Sequence, residues 1–89
     1  MQYIYGAVYC EGCDQIHYYR AIIERGFVDH EHFRCPGCCK ELKKIRADWG
    51  YEVLGSKPGD QGEFSCQLGD ADINDVDELI REVEDLFSR

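Results

Sequence analysis

The chain has 89 residues, 44% of them apolar and 12% aromatic, which excludes a disordered or low-complexity protein and fits one compact domain. A core this small is marginal without a staple. The net charge of −8 argues against broad attraction to nucleic-acid backbones, which depends on Lys and Arg neutralising phosphates.

The first residues, Met1 to Cys10, carry no basic segment, and no window reaches the roughly 18 apolar residues of a membrane span. A cytoplasmic protein is expected. Tyr3, Tyr5, Ala7 and Tyr9 alternate with Ile4, Gly6 and Val8, so Tyr3 to Tyr9 reads as a strand feeding the first cysteine pair, Cys10-Glu11-Gly12-Cys13. Beyond it, Ile16 to Ile23 is rich in β-branched and aromatic residues. Glu24-Arg25-Gly26 then gives a turn before Phe27 to Phe33, which predicts a hairpin closed by the positive φ that Gly26 supplies. Such a hairpin leads away from one cysteine pair and back to the other, Cys35-Pro36-Gly37-Cys38.

Ile45, Ala47, Trp49, Tyr51 and Val53 alternate with mostly polar residues and predict a further strand. The glycine-marked stretch from Gly55 to Gly62 reads as a loop, and Phe64, Cys66 and Leu68 alternate again, which predicts a second antiparallel hairpin over 45–68. Gly69 to Asp72 ends it. Asn74 is the expected N-cap of a helix over 74–87, with Asp75, Asp77 and Glu78 in its acidic first turn. Val76, Leu79, Ile80, Val83 and Phe87 recur at helical spacing, with Leu86 widening the stripe, so this helix can cover one face of a sheet.

Two CxxC pairs in a short chain fit a reducing cytosol and a metal better than secreted disulfides. Zinc takes four sulfur or nitrogen ligands in a tetrahedron, and each CxxC turn presents two thiolates to one ion. The 21 residues between Cys13 and Cys35 lie just beyond the usual window for this pattern, a difference that one longer hairpin absorbs. Cys39 leaves two ways to complete the second pair, Cys35 with Cys38 or Cys35 with Cys39.

Phe33-Arg34-Cys35-Pro36-Gly37-Cys38-Cys39-Lys40-Glu41-Leu42 resembles the second knuckle of the broad zinc-ribbon and rubredoxin-like group, and the resemblance covers about residues 8–45. It implies one structural Zn²⁺ held by Cys10, Cys13, Cys35 and Cys38. Iron is the competing metal, set second because rubredoxin itself has a longer segment between its knuckles. The group usually has glycine after the second cysteine of a knuckle, where φ tends to be positive. Asp14 and Cys39 stand there instead, and Cys accepts that conformation less readily than Asp.

His30 and His32 alternate onto one strand face and are read as exposed, while His17 has no partner that the sequence identifies. Cys66 is expected to pack as a small hydrophobe, with Cys39 left open. The tyrosines with Phe27 and Phe33 can pack a sheet or stack on single-stranded nucleic acid, and packing is preferred. Arg34, Lys40, Lys43, Lys44 and Arg46 form the one basic cluster. No catalytic triad, paired carboxylates, P-loop or EF-hand pattern is present, so no enzyme is expected.

Residues 1–48 hold seven Lys/Arg against seven Asp/Glu, and residues 49–89 hold three against eleven. The expectation is therefore an α+β chain forming one domain over 1–89. It comprises a zinc ribbon at 8–45, an added β-hairpin at 45–68 and an acidic C-terminal amphipathic helix at 74–87 packed on the sheet. The expected function is a non-enzymatic protein-binding or regulatory module whose acidic C-terminal half meets a protein with a basic surface. The alternatives are an acidic nucleic-acid mimic that inhibits a nucleic-acid-binding protein, and a nucleic-acid-binding ribbon that uses its aromatic and basic residues.

Overall fold

The computed structural model describes residues 2–59, 63–68 and 72–87. Among them the chain forms β1 (Gln2–Cys10), β2 (Gln15–Ile23), β3 (His30–Arg34), β4 (Glu41–Arg46), β5 (Tyr51–Pro58), β6 (Phe64–Gln67) and α1 (Val76–Phe87). Four strands make an antiparallel sheet in the order β5-β2-β1-β6, and β3 pairs with β4 in a separate two-stranded sheet.

Strand alternation gives the large sheet two apolar faces. Tyr5, Ala7, Ile16 and Tyr18 point to one face, where Ile73, Leu79 and Val83 complete a buried cluster. Val8, Tyr19 and Ala21 point to the other, where Phe33, Ile45 and Ala47 of the β3–β4 segment cover them. The sheet is thus a middle layer, with the helix on one side and the small hairpin on the other. The α+β class with a C-terminal helix on the sheet is what the sequence predicts. Gly6 lies directly across from Tyr19, and a methyl group there would sit 2.5 Å from the Tyr19 hydroxyl. A glycine inside β1 therefore makes room for a buried ring.

The pairings differ from the expectation in three places. Gly26 does adopt a positive φ of 93°, and the Phe27 amide donates to the Glu24 carbonyl, but the segments on either side do not pair with each other. β2 lies between β1 and β5, while β3 crosses to the other layer. Phe33 explains the crossing, because it becomes fully buried between Tyr19 and Tyr51, with ring centroids 5.4 and 5.1 Å away.

The alternating run from Ile45 to Val53 is two strands in two sheets. The chain bends between them at Gly50, with φ 92°, and Ala47 is buried while Trp49 is exposed. Three backbone hydrogen bonds, from Asp48 and Trp49 to the Ile22 carbonyl and from Ile22 to the Gly50 carbonyl, fix that bend against β2. Finally, β5 and β6 occupy opposite edges of the large sheet and form no hairpin, and residues 55–58 belong to β5 rather than to a loop. The rest of the predicted loop, 60–62, and the strand end at 69–71 lie outside the described residues.

The helix begins one residue later than expected. Asp75 is its N-cap, since its carboxylate accepts from the Asp77 amide at 3.0 Å and its carbonyl accepts from Leu79 at 3.0 Å. Leu79 and Val83 are buried, Val76 and Ile80 pack at the margin of the core, and Leu86 is exposed rather than part of the stripe. Val76 meets β5 where Gly55 has no side chain; a methyl group there would lie 2.6 Å from the valine Cγ2. No helix among the described residues is long and apolar enough to cross a membrane.

Candidate metal centre

Both cysteine pairs sit in hairpin turns. Cys10 is the last residue of β1, and Glu11 to Asp14 return the chain to β2. Cys35 follows β3, and Pro36 to Lys40 return the chain to β4. The second turn is closed by the Cys39 amide on the Cys35 carbonyl and the Cys35 amide on the Lys40 carbonyl, both 2.9 Å. Asp14 and Cys39 have φ values of 50° and 60°, the left-handed conformation that this position of a knuckle tends to adopt.

Because the small hairpin lies on the large sheet with its turn at the same end, the two turns meet. The sulfurs of Cys10, Cys13, Cys35 and Cys38 all lie within 4.8 Å of one another. Cys10 Sγ is 3.7 Å from Cys38 Sγ, and Cys13 Sγ is 3.5 Å from Cys35 Sγ. Four Zn–S bonds of about 2.3 Å in a tetrahedron set sulfurs about 3.8 Å apart, so the donor set fits one tetrahedral ion. Cys39 is exposed and stands outside this group. Gly37 permits the approach: a methyl group in its place would lie 3.3 Å from Cys13 Sγ.

The thiols differ in their surroundings. Burial opposes ionisation of Cys35, but the backbone N–H groups of Cys38 and Gly37, with the Cys13 and Cys38 thiols, bring its pKa down to about 6. The same sharing pushes Cys13 up to about 12, chiefly through its hydrogen bond with Cys35, and burial raises Cys10. Such a cluster favours one thiolate over several without an ion. A bound cation reverses that preference by stabilising every deprotonated ligand.

One residue beside the cysteine cluster has a position that the sequence alone did not reveal. His17, 2% exposed, places Nε2 3.3 Å from Cys35 Sγ and Nδ1 2.5 Å from Ser56 Oγ. Its signal was parity, since His17 shares a strand face with Tyr19, Ala21 and Ile23, all of which are buried. The other histidines are exposed, and His32 Nδ1 lies 2.9 Å from a Glu41 carboxylate oxygen.

Cys66 is half-buried against the helix-side core, and burial raises its thiol pKa. Tyr5, Tyr18 and Tyr19 are buried, so they present no stacking platform. The exposed aromatics, Phe27 and Trp49, pair at 5.6 Å at the end of the strands opposite the cysteines. In the basic cluster, Lys43 lies 3.7 Å from Glu63, and Arg46 donates to the Phe27 carbonyl.

Fold and site together define a β-rich α+β protein with a four-cysteine, ribbon-like centre between two hairpin turns, able to hold one metal ion. No protein-family model, curated protein or solved structure matches the chain.

Proposed function

We propose that this protein is a small zinc-stapled binding module, non-enzymatic and cytoplasmic, in which Cys10, Cys13, Cys35 and Cys38 hold one structural Zn²⁺. The observation that carries the proposal is the four-sulfur cluster with near-tetrahedral spacing. All-sulfur donors favour Zn²⁺ over hard cations, and a reducing compartment keeps them as thiols. A shell closed by four protein ligands leaves no position for water or substrate, so the ion holds structure rather than catalysing a reaction.

The working surface in this reading is the acidic C-terminal region, and its partner is a protein with a basic patch. Charge supports it, since the whole excess of −8 lies in residues 49–89. Several of its carboxylates are already engaged within the chain, among them Glu52 and Asp72 with Arg20, Glu63 with Lys43, and Asp77 with Lys57 at 2.8 Å. Glu78 and Glu82, both exposed, are the carboxylates to offer a partner.

Mass spectrometry of the intact native protein tests the zinc assignment directly, with one Zn²⁺ per chain as the expected mass. A chain recovered from zinc-replete cells without metal, or with iron, overturns it. Recovery of basic partners by the native chain and by a Glu78→Gln/Glu82→Gln variant tests the surface. Equal recovery by both removes the acidic face from the function.

A further inference from the structure

The cysteine cluster is not symmetric in its surroundings. Cys10 and Cys35 are buried, Cys13 is partly covered and Cys38 is exposed. A four-thiolate zinc centre carries a net charge of about −2, because Zn²⁺ supplies +2 against four S⁻. Hydrogen-bond donors are what a buried thiolate needs in place of water. Cys35 has donors in its own turn, the Gly37 amide at 3.4 Å and the Cys38 amide. A side-chain donor comes from the large sheet, where His17 of β2 reaches across the layer to the end of β3 at 3.3 Å.

Strand register builds this contact. His17 and Ser56 are direct partners in the β2–β5 pairing, so their side chains share the face on which the small hairpin rests. Phe33, two residues before Cys35, lies with its ring centroid 6.3 Å from the imidazole and holds that face of the ring. A metal-bound thiolate offers only lone pairs, so the proton of the His17–Cys35 contact belongs to Nε2. A neutral ring then leaves Nδ1 as an acceptor for the Ser56 hydroxyl, 2.5 Å away. The relay runs from Ser56 O–H to His17 Nδ1, and from His17 Nε2–H to Cys35 Sγ.

We propose that His17, oriented by Ser56, is a positioning residue of the metal centre that draws charge from the Cys35 thiolate and so sets how tightly the centre holds its ion. The inference rests on reading the four cysteines as a metal site. Its chemistry mirrors the usual support of a metal ligand by an outer hydrogen-bond partner, with the roles exchanged: here the histidine is the outer donor and the thiolate is the ligand. Among the described residues His17 is the buried polar residue of the core, and both of its ring nitrogens have partners at the metal centre or in the strand that orients it.

The test uses the full-length protein loaded with Zn²⁺ for affinity and with Co²⁺ for spectroscopy. In His17→Phe the ring volume stays and the N–H donor goes. A more electron-rich Cys35 sulfur should move the sulfur-to-cobalt charge-transfer band to lower energy, and chelator competition should show zinc affinity reduced by roughly 10–100-fold. Ser56→Ala leaves the core packing in place and should shift the band in the same direction by less. Band position and affinity unchanged in His17→Phe overturn the proposal, as does a lowered melting temperature with the band unmoved, which would mark His17 as packing alone. Should His17→Phe fail to fold, Ser56→Ala decides, and no shift there counts against the relay. Failure of the native chain to take up Zn²⁺ or Co²⁺ overturns the metal reading itself, a result separate from any variant.

Discussion

The small hairpin is tied to the large sheet at both ends, and the two ends use different chemistry. At one end, four sulfurs from two turns converge on a site for one ion. At the other, hydrogen bonds do the tying, with one covered carboxylate at their centre. Asp48 has a fully covered side chain and accepts from the Glu24 amide at 2.8 Å and the Asp29 amide at 2.9 Å. It thereby closes the β2–β3 crossover onto the β4–β5 bend, where the Trp49 indole adds a 2.7 Å bond to Glu24. Between the ends lies Phe33, the apolar anchor of the layer. Metal coordination gathers four side chains from distant turns around one point, whereas a carboxylate fixes only the backbone within its reach. The cysteine end should therefore govern global stability and the Asp48 end local order.

Removing the metal proposed for the four sulfurs is the strongest way to break this comparison. A chelator, or Cys35→Ser, should produce the largest fall in melting temperature of any change considered, with amides of 30–46 losing hydrogen-exchange protection first. An unchanged melting temperature after chelation would mean that the apolar layers suffice without a staple. Next comes Phe33→Ala, which empties the middle of the layer and should cost about 3–5 kcal/mol by denaturant titration. A loss below about 1 kcal/mol would show that the rings around it collapse into the space.

Asp48→Asn should do less globally and more locally, raising hydrogen exchange at the Glu24 and Asp29 amides while leaving metal content intact. Acid sharpens the same contrast. Those two amides hold the Asp48 carboxyl below its ordinary pKa. A depressed carboxyl contributes stability that is complete above its unfolded value and is lost as pH falls through the lower folded one. Protons also compete with the ion for thiolates. A pH titration followed by metal release and by exchange at Glu24 should therefore see the cysteine end open first and the Asp48 end last; the reverse order would refute this division. The smallest effect should come from Lys57→Ala. Its 2.8 Å pair with Asp77 lies at the surface, and its loss should leave the melting temperature unchanged within error.

The legible parts of the sequence were those governed by local rules. CxxC spacing marked the turns at Cys10–Cys13 and Cys35–Cys38, period-two alternation found β1 and β6, and β-branched and aromatic content found β2. Helical spacing found α1, although the cap fell on Asp75 because the choice between adjacent Asn and Asp is made by which carbonyl accepts the first helical bond. Alternation failed from Ile45 to Val53 for a related reason. It reports which side chains need cover, and Ile45 of β4 and Tyr51 of β5 find that cover in one apolar cluster although their strands belong to different sheets.

Strand partners were a tertiary decision. Nothing local distinguishes a hairpin closed at Gly26 from a crossover there; the burial of Phe33 against Tyr19 and Tyr51 selects the crossover. His17 belongs to the same class, since only register with Ser56 and the packing of the second turn bring its ring to Cys35. The sequence by itself determined the two cysteine knuckles, the acidic second half and the helix, because spacing, charge and periodicity are properties of neighbours along the chain, whereas the choice of Cys38 over Cys39 in the sulfur cluster waited for the fold. The tertiary structure alone decided the layer order, the Asp48 tie and the histidine behind the thiolate, because each depends on groups far apart in sequence competing for the same buried space.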